Sequence, residues 1–110
     1  MSHYESIIRA LPMEERLAQL AEECAELSQA ALKLRRAMTG KNYTPVRVED
    51  CRAALFEEIA DVHTCIDVIL MDMDTIKAVT AIEATMKAKA ERWAGRLTAQ
   101  GCGVDACRLG

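Results

Sequence analysis

From Met13 to Met38 the chain runs without a proline or a glycine, and its apolar residues return in alternating steps of three and four. Leu17, Leu20, Cys24, Leu27, Ala31, Leu34 and Met38 then share one stripe of a single long helix, a face that needs a partner to bury it. Pro12 falls in the first turn, where its missing N–H costs nothing, and Glu14 and Glu15 lie near the positive end of the helix dipole. Lys33, Arg35 and Arg36 place positive charge at the other end, and Gly40 stops the helix.

The same periodicity predicts a second helix from about Glu49 to Met71, with Leu55, Ile59, Val62, Ile66 and Ile69 on its stripe. A third is predicted from Thr75 to about Thr98, carrying Ile76, Val79, Ile82, Met86 and Trp93, with Asp74 as its N-cap. Residues 3–10 form a short opening helix, and residues 39–48, broken by Gly40, Asn42 and Pro45, a loop. No segment alternates with a period of two for long enough to make a sheet. Trp93, Phe56, Tyr4 and Tyr43 are the only aromatic residues, so the core falls to Leu, Ile, Val, Ala and Met, the composition of packed helices. The expected fold is all-α: a helical bundle of two long antiparallel helices, a third long helix and a short N-terminal one. It forms a single domain over residues 1–98, followed by a flexible tail at 99–110. At 110 residues a bundle buries its apolar surface incompletely, and pairing with copies of itself is expected to complete it.

A net charge of −3 gives no basic face for a nucleic-acid polymer, although a bound metal can reverse the sign locally for a nucleotide. Glu5 and Arg9 interrupt any secretory signal at the start, and the apolar run from Val68 to Met71 is far too short to cross a bilayer. The five cysteines form no C-x-x-C pair. Cys24 and Cys65 fall within apolar helical patterns and are expected as reduced core residues, while Cys102 and Cys107 belong to the tail. The expected location is the cytoplasm, with no membrane partner.

Two segments repeat one pattern, LAEECAEL at residues 20–27 and LFEEIADV at residues 55–62. At 100° per residue, Glu23 lies about 60° to one side of Leu20 and Glu26 about 120° to the same side. Glu58 and Asp61 take the same angles from Leu55. If the helices pack antiparallel through their stripes, the two acidic pairs meet beside the seam. Four converging carboxylates must take up protons or share a cation, and oxygen-only ligands favour a hard ion such as Mg²⁺, with Mn²⁺ as a substitute. The absence of histidine from the quartet argues against zinc. Glu22 and Glu57 lie about 100° around their helices from Glu23 and Glu58.

Glu22-Glu23-x-x-Glu26 followed after a loop by Glu58-x-x-Asp61 resembles the EExxE…ExxD signature of the MazG-like all-α nucleoside triphosphate pyrophosphatases. The resemblance covers roughly residues 13–97. It implies a Mg²⁺-dependent hydrolase that splits a nucleotide between its α and β phosphates, with Glu23, Glu26, Glu58 and Asp61 as metal ligands. It also implies an auxiliary catalytic part for Glu22, binding a second ion or orienting the attacking water, and a homodimer or homotetramer whose subunits complete each other's sites. Lys89, Arg92 and Trp93 resemble the basic K-x-x-R-type segment of some members. Lys87, Lys89, Arg92 or Arg96 then hold the phosphate tail, and Trp93 or Tyr43 can stack on a base.

Two other phosphate chemistries are weaker. Thr39-Gly40-Lys41 has the end of a P-loop without its preceding glycine or its strand. Phosphoribosyl-ATP pyrophosphatases, a branch of the same superfamily, show a histidine four residues after the last acid, whereas His63 follows Asp61 by two. A helical interaction module without turnover is the reading from outside enzymology.

Overall fold

The computed structural model describes residues 1–41 and 45–101. Tyr43, expected against a base, and Cys102 and Cys107, expected in the tail, lie outside them. Four helices occupy most of the described chain: α1 (His3–Ala10), α2 (Met13–Thr39), α3 (Val48–Leu70) and α4 (Thr75–Ala99). Each end falls within one residue of the expected span, and no strand occurs among the described residues. None of the helices is long and apolar enough to cross a membrane.

Local chemistry sets these boundaries. Ser2 caps α1 with a reciprocal box: its Oγ accepts from the Glu5 N–H and Glu5 Oε2 accepts from the Ser2 N–H, both at 3.1 Å. Pro12 stands just before α2 in extended backbone (φ −65°, ψ 162°), one position earlier than expected, because its fixed φ also suits the cap. Gly40 ends α2 with φ 69°, a left-handed conformation that glycine adopts without a Cβ penalty.

Met1–Met73 form one compact unit. In it α2 and α3 run antiparallel. Arg16 near the start of α2 meets Val68 and Asp72 at the end of α3, and Lys33 near the end of α2 shares a cavity with Asp50 and Cys51 at the start of α3. α1 lies against α3.

The inward-turned residues correct the expected stripes. On α2 they are Met13, Arg16, Leu20, Glu23, Leu27, Ala30, Leu34 and Ala37. On α3 they include Val48, Cys51, Leu55, Glu58, Val62, Cys65 and Ile69. Both series step by three and four without a break, the spacing of a coiled-coil seam. The leucines at 20, 27 and 34 serve either register, but Leu17, Cys24 and Met38 of the expected stripe are exposed and Arg16, Glu23 and Ala37 take their places. On α3 the exposed Ile59 likewise yields to Glu58. Cys24 is therefore not a core cysteine, whereas Cys51 and Cys65 are buried. Residues one step beyond the seam, including Leu17, Met38, Phe56 and Ile59, leave an apolar side of the helix pair in solvent.

Among the described residues Arg16 is the deepest charged side chain, 3% exposed. Its Nε donates to the Leu11 carbonyl at 2.9 Å, Nη1 to the Val68 carbonyl at 2.6 Å and Nη2 to Asp72 Oδ2 at 2.8 Å. One guanidinium thus ties the end of α1 and the start of α2 to the last turn of α3, where helix carbonyls lack intrahelical donors and positive charge is favoured.

The second unit begins at Asp74. Asp74 Oδ1 accepts from the Lys77 N–H at 3.3 Å, the N-cap expected from sequence. No residue of α4 is buried, and Ile76, Met86 and Trp93 are 82%, 62% and 64% exposed, so this helix carries apolar surface to spare.

Candidate metal centre

The seam register places Glu23 and Glu58 at core positions of the α2–α3 contact, where most pairs of this kind are apolar. Glu26 and Asp61 each follow by three residues and lie on the flank of the same seam. One carboxylate oxygen from each of these four residues lies within 4.8 Å of one from every other. Glu23 and Glu58 are half-buried, while Glu26 and Asp61 are exposed, so the cluster has a closed floor and an open side. The expectation placed all four beside the seam; two of them are within it.

The floor is electrostatically incomplete. Glu23 Oε1 accepts from Gln19 Nε2 at 2.9 Å, but the buried Oε2 atoms of Glu23 and Glu58 have no hydrogen-bond donor. A buried carboxylate oxygen without a donor is costly, and two of them within one cluster of four acids are costlier. Burial, chiefly, raises the Glu23 pKa above its ordinary 4.5; the Gln19 hydrogen bond opposes the rise, and the charges of Glu26 and Asp61 add to it. The buried Cys65 thiol is raised by its desolvation first and by Glu23 and Asp61 next, which places it within the field of the same cluster. These residues fit a divalent hard cation: the donors are all oxygens, two lack any other partner, and the exposed side leaves room for waters or a further ligand.

Glu22 is exposed and outside the group of four. Lys87, Lys89, Arg92, Trp93 and Arg96 are exposed on α4, in the second unit. His63 is exposed on α3. Gln19 escaped the sequence reading; its signal was its position four residues before Glu23, one turn up the same face. Arg16 carries no such signal, because hydrophobic periodicity does not mark a charged residue for a seam position.

The raised Glu23 pKa has a measurable consequence. In the unfolded chain Glu23 ionises near 4.5, and in the folded chain it holds its proton to higher pH. Between those values the native state binds more protons, so stability falls as pH rises through that window and no further above it. In EDTA, the melting temperature of the wild type relative to Glu23→Gln should therefore drop as pH rises from about 4.5. Millimolar Mg²⁺, competing with the proton for the same oxygens, should raise the wild-type melting temperature near neutral pH and leave Glu23→Gln nearly unmoved. Parallel melting curves for the two proteins in both buffers would count against a preformed site.

No protein-family model, curated protein or solved structure matches this chain.

Proposed function

We propose that this protein is a Mg²⁺-dependent nucleoside triphosphate pyrophosphohydrolase, converting a (deoxy)nucleoside triphosphate to its monophosphate and pyrophosphate. The observation that carries the reading is the convergence of Glu23, Glu26, Glu58 and Asp61, with two buried oxygens lacking any donor. The likeness of their spacing to the MazG-like EExxE…ExxD pattern supplies the nucleotide and the α–β cleavage.

Glu23 and Glu58 form the fixed floor of the site, held by seam packing and, for Glu23, by Gln19. Glu26 and Asp61 form its open rim, where a polyphosphate can approach from solvent. Bound Mg²⁺ would supply charge neutralisation for the polyphosphate and a lowered pKa for the attacking water. In the overall reaction, water adds its oxygen to the α-phosphorus. The bond to the α–β bridging oxygen breaks, that oxygen leaves with pyrophosphate and the bonding electron pair, and the water's proton passes to solvent. Glu22, exposed one residue before Glu23, is assigned an auxiliary part in orienting the water. Lys89 and Arg92, three residues apart on one face of α4, are assigned to the phosphate nearest the nucleoside and the exposed Trp93 to the nucleoside itself.

The reading includes a homodimer or homotetramer, supported by the exposed Leu17, Met38 and Phe56 of the first unit and by the unburied α4. The reading also places the protein in the cytoplasm, as a guardian of nucleotide pools. No feature of the site favours phosphoribosyl-ATP over other nucleotides.

The test is pyrophosphate release from a panel of ribo- and deoxynucleoside triphosphates in Mg²⁺ and in EDTA, with light scattering on the same sample. Release from at least one nucleotide, lost in EDTA, is expected from a dimer or tetramer. Silence across the whole panel would return the protein to the class of helical interaction modules.

A further inference from the structure

The acid quartet is the middle of three rungs on one face of the α2–α3 seam. On α2, Gln19, Glu26 and Lys33 are spaced by seven, so they repeat nearly in line, each step about two turns or roughly 10 Å. On α3, which runs the other way, Val68, Asp61 and Ala54 match them rung for rung. The two outer rungs open into cavities of opposite character.

Toward the start of α2 the cavity is about 260 Å³ and mostly apolar, lined by Ile7, Leu11, Gln19, Cys65 and Val68. Its one cation, Arg16, is 3% exposed and already donates to Leu11, Val68 and Asp72. Nothing there is left for a phosphate. Toward the end of α2 the cavity is about 250 Å³ and lined by Lys33, Arg47, Asp50, Cys51 and Ala54, two cations against one anion. Lys33 is exposed and forms no ion pair with Asp50, and Arg47 makes only a 3.9 Å contact with the exposed Glu49.

We propose that Lys33, assisted by Arg47, binds the terminal phosphates of the substrate, so that the phosphate tail runs from the acids toward the α2–α3 loop. This rests on the nucleotide pyrophosphohydrolase reading above and gives it a direction. The four acids repel any phosphate whose charge is not covered, so the tail leaves the quartet toward an uncommitted positive charge on the same face of the first unit. Lys33 meets that condition: its Cα–Cβ bond tilts toward the N-terminus of α2, back toward Glu26. Arg35, only two residues on, lies about 180° from Glu26 around the helix and faces away. When the bridging oxygen departs with pyrophosphate, Lys33 holds the negative charge that accumulates on the leaving group.

Calorimetric titration of inorganic pyrophosphate in saturating Mg²⁺, using the full chain, tests this. Lys33→Met should weaken pyrophosphate about tenfold, the loss of one charge-assisted hydrogen bond, while Arg35→Met stays within about twofold of wild type. The affinity for a nucleoside monophosphate and the Mg²⁺-induced rise in melting temperature should be unchanged in both variants. Unchanged pyrophosphate affinity in Lys33→Met, from a wild type that hydrolyses nucleotides, would overturn this proposal and leave the hydrolase reading standing. Equal losses in Lys33→Met and Arg35→Met would also overturn it, since net charge alone would explain them. A wild type that gains stability from Mg²⁺ but neither binds pyrophosphate nor releases it would overturn both.

Discussion

Glu58→Gln is expected to cut Mg²⁺-dependent pyrophosphate release by at least about a hundredfold, and in EDTA to raise the melting temperature by a few degrees. The two effects have one cause. Glu58 occupies a seam position, and its Oε2 is buried without a donor against Glu23, Glu26 and Asp61. In the proposed metal site it would offer a carboxylate oxygen to a hard cation; without that cation its buried oxygen has no donor and stands among three other acids. Glutamine keeps the shape and removes the charge. Its amide can donate to the carboxylates that previously repelled it, so the empty seam closes more favourably. A variant with wild-type turnover would sink the ligand assignment. A variant that is inactive but less stable than wild type would show that Glu58 supports the fold through contacts other than the quartet.

Arg16→Met should destabilise the protein by about 3 kcal/mol, the range for stripping a buried, hydrogen-bonded charge from its partners. Methionine fills much of the same volume, so the loss comes from the donors. The Leu11 and Val68 carbonyls and the Asp72 carboxylate all lose their guanidinium contact in one substitution. Asp72→Asn isolates the ionic part. Asp72 is 46% exposed, so its share is screened by water and should amount to less than about 1 kcal/mol. Chemical denaturation in urea separates the two variants. Equal losses would assign the stability to the ion pair and refute the view that the carbonyls dominate. Because Arg16 joins the ends of three helices, Arg16→Met should also loosen the floor of the quartet and weaken Mg²⁺ binding modestly.

Much of the fold was legible in the sequence for a plain reason. Helix boundaries are local: an absent proline, a glycine able to turn left-handed at Gly40 and a capping aspartate at Asp74 act over a few residues. The site was legible in part. Equal spacing of Glu23 and Glu26 with Glu58 and Asp61 guarantees equal angles on two helices, and antiparallel packing then brings them together. The register was less so. Leu20, Leu27 and Leu34 are compatible with two stripes about 100° apart in their other members, and hydrophobicity alone preferred Leu17, Cys24 and Met38 over Arg16, Glu23 and Ala37. The inward residues favour the second.

The four acids were therefore determined by sequence as a convergent group, since periodicity fixes which residues share a helix face. Only the tertiary structure decided that Glu23 and Glu58 stand in the seam rather than beside it, and that their buried oxygens have no donor. It also decided that Arg16 is spent on carbonyls while Lys33 is uncommitted at the opposite rung. Those are properties of how one helix is rotated against another. That rotation is set by the summed packing of both faces, which no single residue or local pattern encodes.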